Sequence, residues 1–491
     1  MNYGIIRKII GKIMILMGLL MVLPLLVAII YQENARNILS FTITIVLLCV
    51  IGYLIQFKKP KDNKMLAREG FIIVALSWLL MSLFGCIPFM VSGEIPNFFD
   101  AFFEMSSGFT TTGATILGAD NTLKVEELSH SMLFWRSFSH WIGGMGVLVF
   151  IMAIIPESKE GSSMHIIRAE SPGPQVGKLV SKTRATSRIL YLIYIGITLI
   201  QFILLWAGPD RKMDLYHSIV YTLGTAGTGG FSVDSTGLQF YSAYSQYIIG
   251  IFMILYGINF TVYYLILIGN FKEVIKYEEV RWYLIIVIAS ILIIFINLLT
   301  VYQSVEYAFR LALFQVGSIV STTGYSTIDF NIWPTISKTI LMILMFFGAC
   351  AGSTAGGIKT SRIIIMFKST FRKIGHMINP RKVSVVKMDG KPIDDTMIEG
   401  VQSFFVMYFI ILMGCTLLIS IDNFDVLTNF SASLACISNV GPGFNIVGPI
   451  GTYGNFSNFS KLVLSLEMIA GRLELFPILI LFSPKNWRRS I

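Results

Sequence analysis

Four short segments of hydroxyl residues and glycine recur along the chain, each inside an otherwise apolar stretch. They end in four tripeptides, which we call the glycine segments: Thr111-Thr112-Gly113, Thr228-Gly229-Gly230, Thr322-Thr323-Gly324 and Asn439-Val440-Gly441. None of them carries a charged side chain. Backbone carbonyl oxygens can replace the hydration shell of a cation, and glycine permits the backbone angles that aim successive carbonyls at one axis. The chemistry that these residues could perform is therefore coordination of a cation by backbone oxygen.

A stretch of helical length precedes each glycine segment and predicts a short helix, which we call a half-helix. Each stretch opens with one acid, in chain order Asp100, Asp214, Glu306 and Asp425. An acid suits the positive N-terminal end of a helix, whose C-terminal end carries roughly half a negative charge. Half-helices that enter from outside would bring four such ends together near the membrane centre, which favours a cation there.

The recurrence of the segments decides between two interpretations. Taken alone, one Thr-Thr-Gly is more typical of a turn or a patch of helix packing. Four copies in register with the apolar stretches indicate an internal array, whose unit is span, half-helix, glycine segment and span. Backbone that is not helical is tolerated at membrane depth only where protein buries it or where it lines a wet cavity.

The composition places these segments in a membrane protein. Of 491 residues, 54% are hydrophobic and only 13% are charged, whereas a soluble domain has about 25% charged residues. A helix needs about 20 apolar residues to span a bilayer. Ten apolar runs are candidates: 13–31, 39–56, 69–91, 131–155, 189–208, 244–269, 282–302, 336–367, 400–420 and 461–483.

The basic residues predict the orientation of the spans. In a ten-span arrangement the basic groups fall on one side, at 7–12, 57–68, 178–188, 272–276, 368–391 and 484–489. The positive-inside rule makes that side cytoplasmic, with both termini inside. The net charge of +10 is therefore a topology signal rather than a nucleic-acid surface. The first apolar run lacks a small-residue cleavage site, so we interpret it as a retained span.

Four further motifs carry a family resemblance: "HWIGGMGVLVF" (140–150), "AESPGP" (169–174), "GACAGSTAGGIKTSR" (348–362) and "GRLELFP" (471–477). With the glycine segments, they make nearly the whole chain resemble the bacterial TrkH/TrkG/KtrB potassium-uptake superfamily. The resemblance implies an all-α polytopic membrane protein in a bacterial cytoplasmic membrane. Four helix–pore-loop–helix repeats would surround one central pore, and two extra N-terminal transmembrane helices would mark the TrkH-type pore-forming subunit.

The resemblance also assigns regions and roles. The N-terminal helix pair would occupy residues 1–68, and the four repeats residues 69–188, 189–281, 282–399 and 400–491. The glycine segments would be a selectivity filter that binds potassium, the transported ion. Family members with serine in place of the first filter glycine look sodium-permissive. All four positions here are glycine, which favours potassium over the alternative, a sodium-permeable or sodium/proton-coupled cation transporter.

Residues 348–359, which we call the inner loop, interrupt the eighth apolar run. The glycines Gly348, Gly352 and Gly356 have the spacing of close helix packing. Gly356 and Gly357, with Ser353 and Thr354, also form poor helix and could break the span. The resemblance implies that the inner loop is an intramembrane gate under the filter, with Lys359 near its inner end.

Arg472 lies about halfway along the last apolar run, where a charge is costly and usually faces a cavity or a partner. One interpretation is a salt bridge with Glu467 or Glu474. The resemblance implies instead that Arg472 faces the pore just below the filter and repels a passing potassium ion. Both can hold together if Glu474 positions the guanidinium.

The remaining residues favour no enzyme and no covalent cofactor. The five histidines lack the spacing of metal ligands, and the five cysteines lie in apolar stretches without a CxxC pair. A carrier for an organic substrate would need polar residues in broken spans, and only the eighth run suggests one.

The resemblance implies a homodimer and a cytosolic TrkA-type nucleotide-binding regulatory subunit, through which alone a nucleotide would act. Membrane lipid would surround the spans, and no nucleic acid is expected. The basic cytoplasmic loops at about 156–188 and 368–399 could dock the subunit or merely follow the positive-inside bias.

Overall fold

The computed structural model describes residues 1–58, 67–119, 122–146, 183–381 and 384–482. The motif at 169–174, the end of the fourth apolar run (147–155), most of the predicted loop 156–188 and the basic run 484–489 lie outside the described residues. The described chain is mostly helical, with one short β-hairpin. The predicted all-α class is confirmed.

The first member of the N-terminal helix pair consists of α1 (Tyr3–Leu20) and α2 (Val22–Ile30), which form one candidate span, and the second member is α3 (Ala35–Gln56). The backbones of α1 and α3 touch where two glycines meet, because a Cβ on Gly11 would lie 2.5 Å from the carbonyl oxygen of Gly52. Glu33, between α2 and α3, accepts a 2.8 Å hydrogen bond from the Ser131 amide. This bond fastens the pair to the start of α7 (His130–Gly144).

The same order of elements then occurs four times: a long helix, a half-helix and a second helix. The long helices are α4 (Ala67–Gly85) with α5 (Ile87–Ser92), α8 (Thr183–Trp206), α13 (Glu278–Leu298) and α17 (Asp395–Ile419). The half-helices are α6 (Phe98–Phe109), α9 (Leu215–Gly227), α14 (Val305–Val320) and α18 (Val426–Ile437). The second helices begin with α7, α10 (Ala243–Tyr256), α15 (Thr335–Phe346) and α19 (Asn458–Arg472).

The second helices are shorter than the apolar runs that predicted them. After α10 the chain bends by 94° into α11 (Phe260–Leu267). α15 ends before the inner loop and α16 (Thr360–Ile378) follows it, while α19 ends before α20 (Phe476–Phe482). The sequence predicts the break in the eighth run, whereas the breaks in the sixth and tenth runs were not predicted. The physical cause in the sixth is Asn259, whose side chain accepts from the Thr261 amide at 2.8 Å and starts a new helix.

Fewer described helices than predicted are long and apolar enough to span a membrane. Six such stretches occur among the described residues, or seven with the bent pair: Tyr3–Ile30, Ala35–Gln56, Arg68–Ser92, Arg188–Trp206, Glu278–Leu298 and Asp395–Asp422. The remaining runs give the shorter helices α7, α15 and α19. The short helix α12 (Phe271–Lys276) and the hairpin of β1 (Lys387–Met388) and β2 (Lys391–Pro392) complete the described fold.

A buried ion pair joins the fourth repeat to the first. Lys461 on α19 contacts Asp100 on α6, with the Lys461 Nζ 2.5 Å from the Asp100 Oδ1. Both residues are buried. The predicted place of Asp100 at a helix start is observed, since it lies in the first turn of α6.

We expect Lys461→Met to lower the free energy of unfolding by about 3–5 kcal/mol, because Asp100 would keep a buried carboxylate without its cation. Thermal unfolding in detergent measures the change. Lys276→Met is the control, since its pair with Glu273 is exposed and contributes about 1 kcal/mol or less. Equal effects of the two substitutions would contradict the assignment.

Candidate ion pathway

Each half-helix ends in the same backbone motif. Thr111, Thr228, Thr322 and Asn439 all have a positive φ, of 55° or 56°. In each repeat the next amide donates to the carbonyl five residues earlier: Thr112 to Ser107 at 2.9 Å, Gly229 to Gly224 at 3.0 Å, Thr323 to Ser318 at 2.8 Å and Val440 to Ala435 at 2.8 Å. This is a Schellman-type helix end. A left-handed conformation costs a residue other than glycine about 1–2 kcal/mol, so the surrounding packing holds these turns in place.

The four glycines that follow form a closed ring. A Cβ on Gly113 would lie 2.1 Å from the carbonyl oxygen of Gly229, in the second glycine segment. The same relation continues round the ring, from Gly230 to the Thr323 oxygen at 2.0 Å, from Gly324 to the Val440 oxygen at 2.2 Å and from Gly441 to the Thr112 oxygen at 2.5 Å. Each glycine therefore leaves room for a carbonyl of the next repeat, and the fourth repeat meets the first.

Polar caps lie at the outer ends of the half-helices. The cap residues are Asn97, Asp214, Ser304 and Asp425, each accepting from an amide of the first turn. Burial alone would raise the pKa of Asp214, but hydrogen bonds from His217 outweigh it and lower the pKa. The hydroxyl and amide of Thr428 lower the pKa of Asp425. Two of the four predicted acids are thus charged helix caps, while Asp100 and Glu306 lie in first turns.

An outer cavity opens on one side of the ring. Its volume is about 570 Å³, and its lining includes all four ring glycines together with Glu126 and Arg136. Glu126 accepts hydrogen bonds from the amide and hydroxyl of Ser235, at 2.5 and 2.7 Å. This contact joins the outer loops of the first and second repeats at the rim of the cavity.

A buried ion pair lies next to the ring and contacts the residues that follow two of its glycine segments. The sequence did not predict this pair. Arg136 on α7 lies 2.8 Å from Glu104 on α6, and both side chains are almost fully buried. Glu104 also accepts from the Ile116 amide at 3.0 Å, and Arg136 donates to the Ser232 carbonyl at 3.2 Å. The pair thus connects the residues that follow the first glycine segment with those that follow the second. The opposite charges of Glu104 and Arg136, each inside an apolar stretch, were the signal in the sequence that could have predicted the pair.

His140 provides further support behind the second glycine segment. Its ring lies 4.3 Å from that of Phe231, and a Cβ on Gly229 would meet its Cγ at 2.2 Å. His140 lacks the spacing of a metal ligand, so the sequence alone predicts no role for it.

The inner loop contacts the opposite end of the glycine segments. The Gly356 amide donates to the Thr322 hydroxyl at 2.7 Å. A Cβ on Gly356 would lie 2.6 Å from the Ser438 carbonyl oxygen, and one on Gly348 would lie 2.3 Å from the Gly356 oxygen. The predicted break of the helix is therefore observed, and the close contacts of these glycines are with backbone oxygens of the loop and of Ser438 rather than between helices.

Polar contacts hold the inner loop in this position. Glu279 on α13 is buried and accepts from the amides of Ala351 and Ser361 at 2.8 and 2.9 Å. The Phe260 amide donates to the Gly352 carbonyl at 3.1 Å, at the bend after α10. Lys359 closes the inner end by donating to the carbonyls of Ala355 and Gly356.

Arg472 contacts the inner loop from the end of α19. Its Nη1 donates to the Thr354 carbonyl at 2.7 Å, and its Nη2 donates to the carbonyls of Gly143 and Gly144 at 2.6 and 2.7 Å. Glu474 forms an ion pair with Arg362, and Glu467 accepts from the Ser433 hydroxyl at 2.6 Å. Arg472 therefore connects the fourth repeat to the first repeat and to the loop of the third.

Contacts thus connect the predicted site residues: the ring glycines line the outer cavity, the inner loop contacts Thr322 beside the ring, and Arg472 contacts the inner loop. Within the described ranges, no three His, Cys, Asp or Glu side chains come close enough to hold a metal ion. The glycine segments and the inner loop offer carbonyl and hydroxyl oxygens to a cation.

Comparison with known proteins gives matches along the whole chain. A family model, TrkH, described as a cation transport protein, matches residues 37–489. The Trk system potassium uptake protein TrkH of Escherichia coli K12 is 33% identical over 499 residues, covering 99% of this chain and all of that one. TrkG of the same strain, also described as a Trk system potassium uptake protein, is 33% identical and covers 97% of each chain.

A solved structure has the same fold. The crystal structure of the potassium transporter TrkH from Vibrio parahaemolyticus superimposes with a TM-score of 0.87, at 31% identity, over 99% of this chain and all of that one. The predicted family, the polytopic membrane fold and the absence of an enzymatic function are therefore confirmed. The chain is an integral membrane protein that belongs to the TrkH family of cation transport proteins.

Proposed function

We propose that the protein takes up potassium ions across a bacterial cytoplasmic membrane, through a pore whose selectivity filter is the four glycine segments. The closed ring of four glycines is the observation that carries this proposal. The names of the relatives support potassium as the ion. Both termini lie in the cytoplasm, as the basic residues predict.

The ring selects by offering oxygen atoms in place of water. Carbonyl oxygens replace the hydration shell of potassium, while the negative C-terminal ends of the half-helices favour a cation beside them. Charged Asp214 and Asp425 at the outer ends of two half-helices attract cations toward the outer cavity. Flux of potassium, rubidium and sodium through purified protein in liposomes tests the proposal, and equal sodium flux would favour the sodium-permeable alternative.

The inner loop is the gate of this pore. Its contacts with Thr322 and Ser438, at the ends of the third and fourth half-helices, support this role, because a loop in that position obstructs the path. The protein forms a homodimer that binds cytosolic nucleotide-binding TrkA-type subunits. These subunits control the position of the loop. The basic residues Arg381, Lys387 and Lys391, which follow α16, support docking of such a subunit on this face.

We expect Gly324→Ser to lower the ratio of rubidium to sodium flux more than it lowers expression. Its φ is +85°, and the new Cβ would press on the Val440 carbonyl oxygen at 2.2 Å, which displaces a filter oxygen. Gly113→Ser should act likewise. Gly118→Ser is the matched control, since Gly118 has the same φ of +85° with no atom within 4 Å. A wild-type flux ratio in both filter variants would refute the filter assignment.

Deleting part of residues 350–356 should raise rubidium flux in the absence of any partner subunit, because it removes the obstruction below the filter. Deleting Asp389 and Gly390, at the turn of the hairpin in the same repeat, controls for shortening the chain elsewhere. If the loop variant is folded and its flux is unchanged, the loop is not a gate and its glycines serve close packing alone.

Arg472→Ala should raise rubidium flux and leave the filter's ion preference largely intact. A unit charge about 6 Å from a passing ion costs roughly 3 kcal/mol at an effective dielectric of 20, or about a hundredfold in rate. Arg472→Gln separates the charge from the polar character of the side chain, because glutamine lacks the charge and keeps a hydrogen-bond donor. A destabilised and slower Arg472→Ala protein would contradict the pore role.

A further inference from the structure

The contact between the fourth and first repeats is the one place where the ring closes without a direct chain connection. Consecutive repeats are joined by the chain, whereas the fourth and first meet only through non-covalent contacts. The segment after the fourth half-helix crosses this seam. Its Tyr453 amide and Thr452 hydroxyl both donate to the Thr115 carbonyl, at 2.9 and 3.1 Å.

The Tyr453 side chain reaches back to the fourth glycine segment. Its hydroxyl donates to the carbonyl oxygen of Gly441 at 2.7 Å. The phenol is 2% exposed, and its ring lies 5.4 Å from that of Phe103 and 6.0 Å from that of Phe456. A buried aromatic ring between two others holds its hydroxyl in a fixed position.

This bond makes the ring asymmetric. In the part of the chain that the structure describes, no protein hydrogen bond reaches the carbonyl oxygens of Gly113, Gly230 or Gly324, whereas that of Gly441 accepts one. Tyr453 therefore contacts two repeats. Its backbone amide donates to Thr115, just after the first glycine segment, and its hydroxyl donates to Gly441 in the fourth glycine segment.

We propose that Tyr453 is a positioning residue that sets the ion specificity of the ring. A smaller cation such as sodium requires the ring oxygens to move inward. At the contact between the fourth and first repeats, no covalent connection opposes this inward movement. The hydrogen bond from the Tyr453 hydroxyl restrains the Gly441 carbonyl oxygen there. The inference rests on the proposed function and adds to it the residue that limits contraction.

Tyr453→Phe tests the inference, because it removes one hydroxyl and keeps the ring packing. We expect the ratio of rubidium to sodium flux in liposomes to fall about fivefold, the factor that one hydrogen bond of ordinary strength represents. The fall should come from increased sodium flux, with the midpoint of thermal unfolding nearly unchanged. A purely structural role would instead lower the thermal midpoint and both fluxes together.

Tyr216→Phe is the matched control. Tyr216 is also a buried tyrosine, and its hydroxyl donates to a backbone carbonyl, that of His130, at 2.6 Å. That carbonyl is not part of the ring, so the flux ratio should remain that of the wild type.

Thr452→Val provides a second variant should Tyr453→Phe fail to fold. It removes one of the two bonds to the Thr115 carbonyl and should lower the flux ratio by a smaller factor. A wild-type ratio in every folded variant of the pair would overturn the role of Tyr453 and leave the filter assignment intact. A wild-type protein that does not discriminate rubidium from sodium would overturn the proposed function itself, and this inference with it.

Discussion

The structure depends on the contact of four glycine α-carbons with four carbonyl oxygens. At each of these positions a side-chain carbon would lie 2.0–2.5 Å from a backbone oxygen of the neighbouring repeat, which is far inside contact distance. The half-helices must therefore end at one level and turn in one sense, and the four identical Schellman-type ends accomplish this. The second helices, the inner loop and the outer cavity all take their positions from this ring.

Buried polar contacts fix the repeats around the ring. Arg136 pairs with Glu104 inside the first repeat and donates to the Ser232 carbonyl of the second, and Lys461 with Asp100 joins the fourth repeat to the first. Breaking a buried pair by removing one partner is strongly destabilising, so the pair of Lys461 with Asp100 also favours the fourth and first repeats as neighbours. Arg472 and Glu279 extend the same principle to the inner loop, where their side chains bind backbone groups that no regular helix satisfies.

Much of this arrangement could be predicted from the sequence, because a fourfold recurrence is visible without knowledge of distances. The glycine segments, the half-helices and the break at the inner loop all follow from residue types in order along the chain. The bend after α10 could not be predicted, since Asn259 starts a new helix within an apolar run that has only one glycine beside it. Contacts between distant residues, such as Arg136 with Glu104, also escaped prediction, because spacing along the chain carries no information on which buried charges meet.

A ring assembled from one polypeptide differs from a ring of identical subunits in how it can change. In a symmetric assembly one substitution appears four times, so a residue that is useful in one quadrant must be tolerated in all. Here Asn439 stands where the other repeats have threonine, and Tyr453 restrains one quadrant alone. Duplication within a single gene thus allows each quarter of the ring to evolve separately, while the shared backbone geometry preserves the whole.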